Sequence, residues 1–175
     1  LHPGLFAMVN PLRALLSDKI GDRRACHARM TIVDQGVDLL LDGFEMEGLE
    51  TTEQMIAFAQ RHKLARLTVG DEYGQQTMWE PEPATITLGG VAVPIHPYAF
   101  LQATRDGEDA LIQAVAPALA DASAIADLFS GLGTFALALG QDRAVYAAEA
   151  ARVPVLALKA AANRTQRDRK STRLN

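Results

Sequence analysis

Cysteine is nearly absent from this chain: Cys26 is the one thiol in 175 residues. A lone thiol excludes an internal disulfide, a cysteine-rich zinc site and an iron–sulfur cluster held by this chain alone. The histidines do not compensate, because His2, His27, His62 and His96 show no paired metal-ligand spacing; no metal is expected. Long apolar runs are missing too. None approaches the roughly 20 residues that span a bilayer, so no membrane partner is expected. The opening Leu1-His2-Pro3-Gly4 has no basic segment ahead of an apolar one, and no secretory signal is read from it. Positive charge is not in excess: 17 Lys and Arg face 21 Asp and Glu, a formal net charge of −4. Global attraction to nucleic acid is therefore excluded, and any RNA affinity would be local. With 49% hydrophobic and 22% charged residues, the chain is expected to be soluble, folded and cytoplasmic, as one ordinary domain or two small ones.

The organisation changes near residue 95. Before it the pattern is α+β. Pro11 to Ile20 places Leu12, Leu15 and Leu16 on one side of a helix. Arg23 to Val33, the turn Asp34-Gln35-Gly36, and Val37 to Leu41 predict a β-hairpin. Thr51-Thr-Glu-Gln54 fits a capping box opening a helix with Met55, Ile56, Phe58 and Ala59 as its apolar stripe. Leu64 to Val69 predicts a short strand, and the polar stretch from Asp71 to Pro83 a loop. Within that loop Tyr73 and Trp79 could stack on RNA bases or simply pack. Thr85 to Leu88, Gly89-Gly90 and Val91 to Val93 predict a second hairpin.

After residue 95 strands and helices alternate. Gly107 to Leu119 has helical spacing with Asp106 as its cap. Strand 125–129, helix 133–140, strand 144–148 and helix 152–163 follow, the opening of a doubly wound α/β domain whose ligands bind at the carboxyl ends of the strands. Two strands are too few for a sheet buried on both faces, so the domain looks unfinished. From Arg164 to Asn175 the chain is basic, with Leu174 its one apolar residue. No strand is expected from it. It reads as an RNA-binding tail or, better, as a non-native or disordered segment after a truncation.

The chemistry concentrates in Ile125-Ala-Asp127-Leu-Phe129-Ser-Gly131-Leu-Gly133-Thr134-Phe135. A short strand ends in a carboxylate and passes through Gly-x-Gly into a helix. The next strand ends at Glu149, where a carboxylate can accept hydrogen bonds from ribose hydroxyls. A dinucleotide fingerprint needs a third glycine, and Ala136 stands there. Asp127 would repel a pyrophosphate but tolerate a zwitterion. S-adenosylmethionine, which carries a sulfonium, an ammonium and a ribose, is favoured over a nicotinamide or flavin cofactor. A tight turn that binds nothing remains the alternative.

Upstream, Tyr98-Ala99-Phe100-Leu101-Gln102-Ala103-Thr104 precedes the helix that leads to this motif. A Phe-x-Gln element, a helix, Asp-Leu-Phe-x-Gly-x-Gly-x-Phe and a strand ending in Glu occur in that order. The combination resembles the bacterial RNA uracil-5-methyltransferases, which make 5-methyluridine in ribosomal and transfer RNA. The resemblance implies an α/β architecture: an α+β central domain over 1–95, then over 96–163 the first half of a Rossmann-like class I methyltransferase domain. It implies cofactor contacts from Gln102, Phe129, Thr134 and Glu149. Asp127, Gly131 and Gly133 join them as the shaped turn. Ser130 stands where many members have Cys. Against these stand plainer readings: Gln102 as a helix cap, Phe129 as a core residue and Glu149 as a solvated one.

The family's reaction uses a cysteine thiolate that attacks C6 of uracil and a later Glu that removes the C5 proton. Both would lie beyond Asn175, so no catalytic residue is assigned here and the isolated chain is expected to be inactive. Cys26 is expected to be structural. An iron–sulfur cluster, as some relatives hold, is possible only in a full-length protein. The implied partner is RNA, ribosomal rather than transfer, met by a monomer. Another Rossmann-fold methyltransferase and a non-catalytic nucleotide- or RNA-binding module are the alternatives.

Overall fold

The computed structural model describes residues 2–20, 25–71, 74–141, 143–164 and the backbone of 172–174. Arg23, Tyr73 and most of the basic tail lie outside the described residues. The chain divides into two compact units, Leu1–Ala84 and Thr85–Asn175. The sequence pattern changes near 95, yet hairpin 85–94 belongs with the second unit, where its second strand packs against the last helix.

The first unit runs α1 (Pro3–Leu16), β1 (His27–Val33), β2 (Gly36–Asp42), α2 (Gly48–Arg61), β3 (Arg66–Asp71) and β4 (Gly74–Trp79). Its four strands lie in the order β1-β2-β3-β4. β2 and β3 are parallel, and both outer pairs are antiparallel. Val33 pairs with Gly36 around a tight turn, giving the first hairpin as expected. Leu39, Leu41, Leu67 and Val69 alternate onto the face covered by Met8, Leu12 and Leu16 of α1 and Met55, Phe58 and Ala59 of α2. Asp38 and Arg66, register partners on the parallel pair, are buried together in a bidentate ion pair, Nε to Oδ1 at 2.9 Å and Nη2 to Oδ2 at 2.6 Å.

Three expectations in this unit give way. α1 begins at Pro3, with the His2 Nδ1 accepting the Gly4 N–H, so Pro11 lies inside the helix and not at its start. α2 begins at Gly48, a turn ahead of the proposed capping box, and Thr52 instead donates its hydroxyl to the Gly48 carbonyl. The polar stretch read as a loop contains β4. An edge strand needs only backbone partners on one side and leaves side chains in water, so Gln75, Gln76 and Thr77 give no apolar alternation to read. Trp79 is a packing residue: its indole N–H donates to the Leu64 carbonyl at 3.0 Å, against the core of this unit.

The second unit runs β5 (Thr85–Leu88), β6 (Val91–Pro94), α3 (Arg105–Val115), a 3-10 turn (Ala116–Leu119), β7 (Ala124–Leu128), α4 (Thr134–Leu139), β8 (Ala144–Ala148), α5 (Arg152–Arg164) and β9 (Thr172–Leu174). β5 and β6 form the expected hairpin. Thr104 caps α3 through Gly107 N–H at 3.0 Å, so the cap lies two residues before the expected Asp106. β7, β8 and β9 make a parallel sheet in that order, crossed over by α4 and α5. β9 is a correction: the tail contributes a strand. Backbone pairing along the open edge of β8 asks for no apolar side chains, which is why a basic sequence can supply it.

Candidate cofactor site at the glycine turn

The site is built where β7 and β8 end side by side. Leu128 is the register partner of Ala148, so the chain leaves β7 beside the residue that precedes Glu149. Ser130 N–H donates to the Ala148 carbonyl at 3.0 Å, and Gly133 N–H to the Ser130 carbonyl at 2.8 Å. The turn is thereby folded back over the tip of β8.

Glu149 closes it. Its Oε2 accepts the Gly131 N–H at 3.0 Å and its Oε1 the Ala151 N–H at 2.8 Å. These donors, Ala151 first and then Gly131, hold its pKa below the ordinary carboxylate value against a smaller opposing effect of burial. Two carboxylate oxygens offer about four acceptor positions, so lone pairs remain for ribose hydroxyls.

The two glycines serve different ends. Gly131 has φ +55° and a side chain there would meet nothing within 4 Å, which leaves its surface open to a ligand. Gly133 has φ +92° and a Cβ would lie 2.6 Å from Leu158 Cδ1, so this glycine admits α5 and not a ligand. Leu158 was not singled out from sequence, although its spacing with Ala161 on α5 marks a buried stripe.

Asp127 shapes the turn from the strand side. Its Oδ2 accepts the Ala136 N–H at 2.9 Å, so the carboxylate is directed to α4. Burial pushes its pKa up, and that hydrogen bond partly offsets the rise. Phe129 is 88% exposed at φ +61°, which sets aside the core reading and presents its ring to solvent beside the turn. Thr134 opens α4 and is half-buried. Gln102 is half-buried on the segment before α3, and among the described residues no hydrogen bond ties it to the turn. Ser130, which stands where many members of the resembled family have Cys, has its Oγ buried with no hydrogen-bond partner among the described residues.

The donor set suits a nucleoside without phosphate. The sole basic residue between Ile125 and Ala151 is Arg143, whose guanidinium donates to the Leu119 carbonyl. An open turn, an exposed ring and an anchored carboxylate fit the ribose and base of S-adenosylmethionine. Away from the turn, Cys26 is half-buried against the first unit's core, and burial, followed by Asp42, raises its pKa; it has the character of a structural thiol. Among the described residues no group of His, Cys, Asp and Glu could hold a metal, and no helix is long and apolar enough to cross a membrane.

No family model matches the chain. Curated relatives do. A protein of Zymomonas mobilis named as an uncharacterized RNA methyltransferase is 48% identical over 162 residues, 93% of this chain and 41% of its own length. The 23S rRNA (uracil(1939)-C(5))-methyltransferase of Tolumonas auensis is 27% identical over 146 residues, 82% of this chain and 33% of its own. Among solved structures, the Pyrococcus abyssi tRNA (uracil-54, C5)-methyltransferase in complex with S-adenosyl-L-homocysteine superposes with a TM-score of 0.69 at 14% identity. That match covers 96% of this chain and 45% of the archaeal one. The fold is that of S-adenosylmethionine-dependent methyltransferases. By sequence the chain is a homologue of bacterial proteins named as RNA methyltransferases, and it spans about two-fifths of the length of the curated relatives it matches first.

Proposed function

We propose that this chain supplies the S-adenosylmethionine-binding part of an enzyme that methylates C5 of a uridine in RNA, ribosomal rather than transfer RNA. In this reading the first unit is the central domain and the second is the amino-terminal half of the methyltransferase domain. The observation that carries it is the Glu149 carboxylate anchored on Gly131 at the tip of β8, where a ribose diol is held in nucleoside-binding α/β folds. The name of the Tolumonas relative supports the uracil and ribosomal specificity, and that of the Pyrococcus structure the uracil specificity.

Bound, the cofactor supplies a methyl group activated on a sulfonium. The chain's own residues then hold and orient it. Glu149 accepts from the ribose, the ring of Phe129 offers an apolar face to the adenine, and Gln102 and Thr134 offer polar contacts. The hydrogen-bonded turn keeps these groups in place without reorganisation. No residue within this chain is assigned to bond making on uracil; by the family resemblance that task falls to a Cys and a Glu outside it, in a protein acting as a cytoplasmic monomer.

Two measurements test this. Calorimetry of the chain with S-adenosylhomocysteine is expected to show one site, and no heat at millimolar ligand would overturn the cofactor assignment. The complete gene product incubated with S-adenosylmethionine and ribosomal RNA is expected to yield 5-methyluridine by nucleoside mass spectrometry. A methylated guanosine or adenosine in its place would overturn the uracil assignment alone.

A further inference from the structure

We infer that Asp127 is a positioning residue that caps α4 from the neighbouring strand, in place of the glycine at the helix's own cap position, and so sets the turn for the cofactor. The inference rests on the reading of that turn as the S-adenosylmethionine site.

A helix ordinarily satisfies one of its first free N–H groups through a side-chain oxygen on the cap residue, which accepts from the second or third helical position. α4 has Gly133 there, with no side chain to give. Nor can this position carry one. A Cβ would lie 2.6 Å from Leu158 Cδ1 and 3.0 Å from Cδ2, at a φ of +92°. The close approach of Leu158 on α5 to Gly133 therefore removes the usual cap. The third helical residue, Ala136, is 7% exposed, so its N–H is poorly placed to turn to water. Asp127 Oδ2 accepts it at 2.9 Å. The geometry is that of a cap bond, delivered by a residue of β7.

The consequence reaches the turn. Residues 128–133 are pinned at one end by Asp127 on α4 and over their middle by Glu149 on Gly131. The Gly133 N–H to Ser130 carbonyl bond, 2.8 Å, lies between. Without Asp127 the first turn of α4 loses its anchor to β7, and Thr134 and the exposed Phe129 lose their fixed places. This role needs an acceptor oxygen and not a charge. An amide oxygen serves equally, since a backbone N–H donates to either. A contact with the cofactor's ammonium would need the carboxylate itself.

The substitutions Asp127→Asn and Asp127→Ala separate these roles, with S-adenosylhomocysteine affinity read by calorimetry and protection of the 134–139 amides read by hydrogen exchange. D127A is expected to lower affinity by roughly two- to thirtyfold, the effect of losing a helix cap, and to speed exchange at Ala136. D127N is expected to restore both to within about threefold of the parent chain, allowing for a weaker neutral acceptor. Loss of affinity in D127N with Ala136 still protected would overturn the inference, and would make the charge a direct ligand. Unchanged protection in D127A would also overturn it. Should the parent chain bind no S-adenosylhomocysteine, the proposed function fails, while the exchange data still decide whether Asp127 caps α4.

Discussion

Glu149 Oε2 and the Gly131 N–H stand 3.0 Å apart, joining the end of β8 to the turn that follows β7. One carboxylate thus shapes the turn and, in the proposed function, receives the ribose. The two duties are additive because Oε1 is spent on Ala151 N–H at 2.8 Å and further lone pairs stay free.

Replacing Glu149 by Ala is therefore expected to weaken S-adenosylhomocysteine binding by about 1–3 kcal/mol, through the lost acceptor and the loosened turn together. Calorimetry checks this. Unchanged affinity would remove Glu149 from the site.

Acid sensitivity follows from the two carboxylates with opposite signs. Glu149 titrates below its ordinary value of 4.5 because Ala151 and Gly131 donate to its ionised form. Its contribution to stability is present above the unfolded value and lost as pH falls through the folded one. Asp127 titrates above 3.8 because of burial, so its ionisation costs stability as pH rises from the unfolded value through the folded one. In urea unfolding from about pH 3 to pH 7, E149Q should flatten the loss on acidification. D127N should gain relative to the parent chain as pH rises.

The glycines predict an asymmetry. Gly131→Ala meets only the cost of a left-handed backbone, about 1 kcal/mol, since nothing lies within 4 Å of the new methyl. Gly133→Ala adds a collision with Leu158 and should cost about 1–3 kcal/mol more. Adding Leu158→Ala to G133A should relieve part of that excess, and urea midpoints of the three variants would show it. Equal midpoints for G131A and G133A would contradict the packing role given to Gly133.

In the first unit, Asp38→Ala strands the buried Arg66 guanidinium, with Glu80 3.6 Å away as a remaining ion-pair partner. A loss of about 3–5 kcal/mol is expected. The double change Asp38→Leu with Arg66→Met should cost much less, because it removes both charges and keeps bulk. A double variant no more stable than D38A in urea would show that the pair is worth more than its desolvation.

Ser130→Ala removes a buried hydroxyl that has no partner among the described residues. The unfolding temperature is expected to hold or rise, in keeping with about 1 kcal/mol or more recovered from an unsatisfied group. A fall in S-adenosylhomocysteine affinity would instead identify the hydroxyl as a cofactor contact.

Much of the second unit was legible. The strand Ala144–Ala148, its terminal Glu149, and the Gly-x-Gly turn between β7 and α4 lie where alternation and punctuation place them. Local signals serve there because each strand is a short apolar run bounded by glycine or charge. Legibility failed where the deciding partner is distant. β4 is polar and exists through its pairing with β3, and β9 through the free edge of β8.

The sequence by itself determined the kinds of group at the site and their order along the chain: two carboxylates, two glycines and an aromatic, all within or just after strand ends. Tertiary structure alone decided what each group does. Asp127 and Glu149 are the same chemistry read locally, but one is turned onto a helix N–H and the other onto the glycine turn. Gly131 and Gly133 are identical residues, yet one faces open space and the other Leu158. A side chain's role depends on which partner reaches it across the fold, and hydrogen bonds and packing act over a few ångströms of space, whatever the separation along the chain.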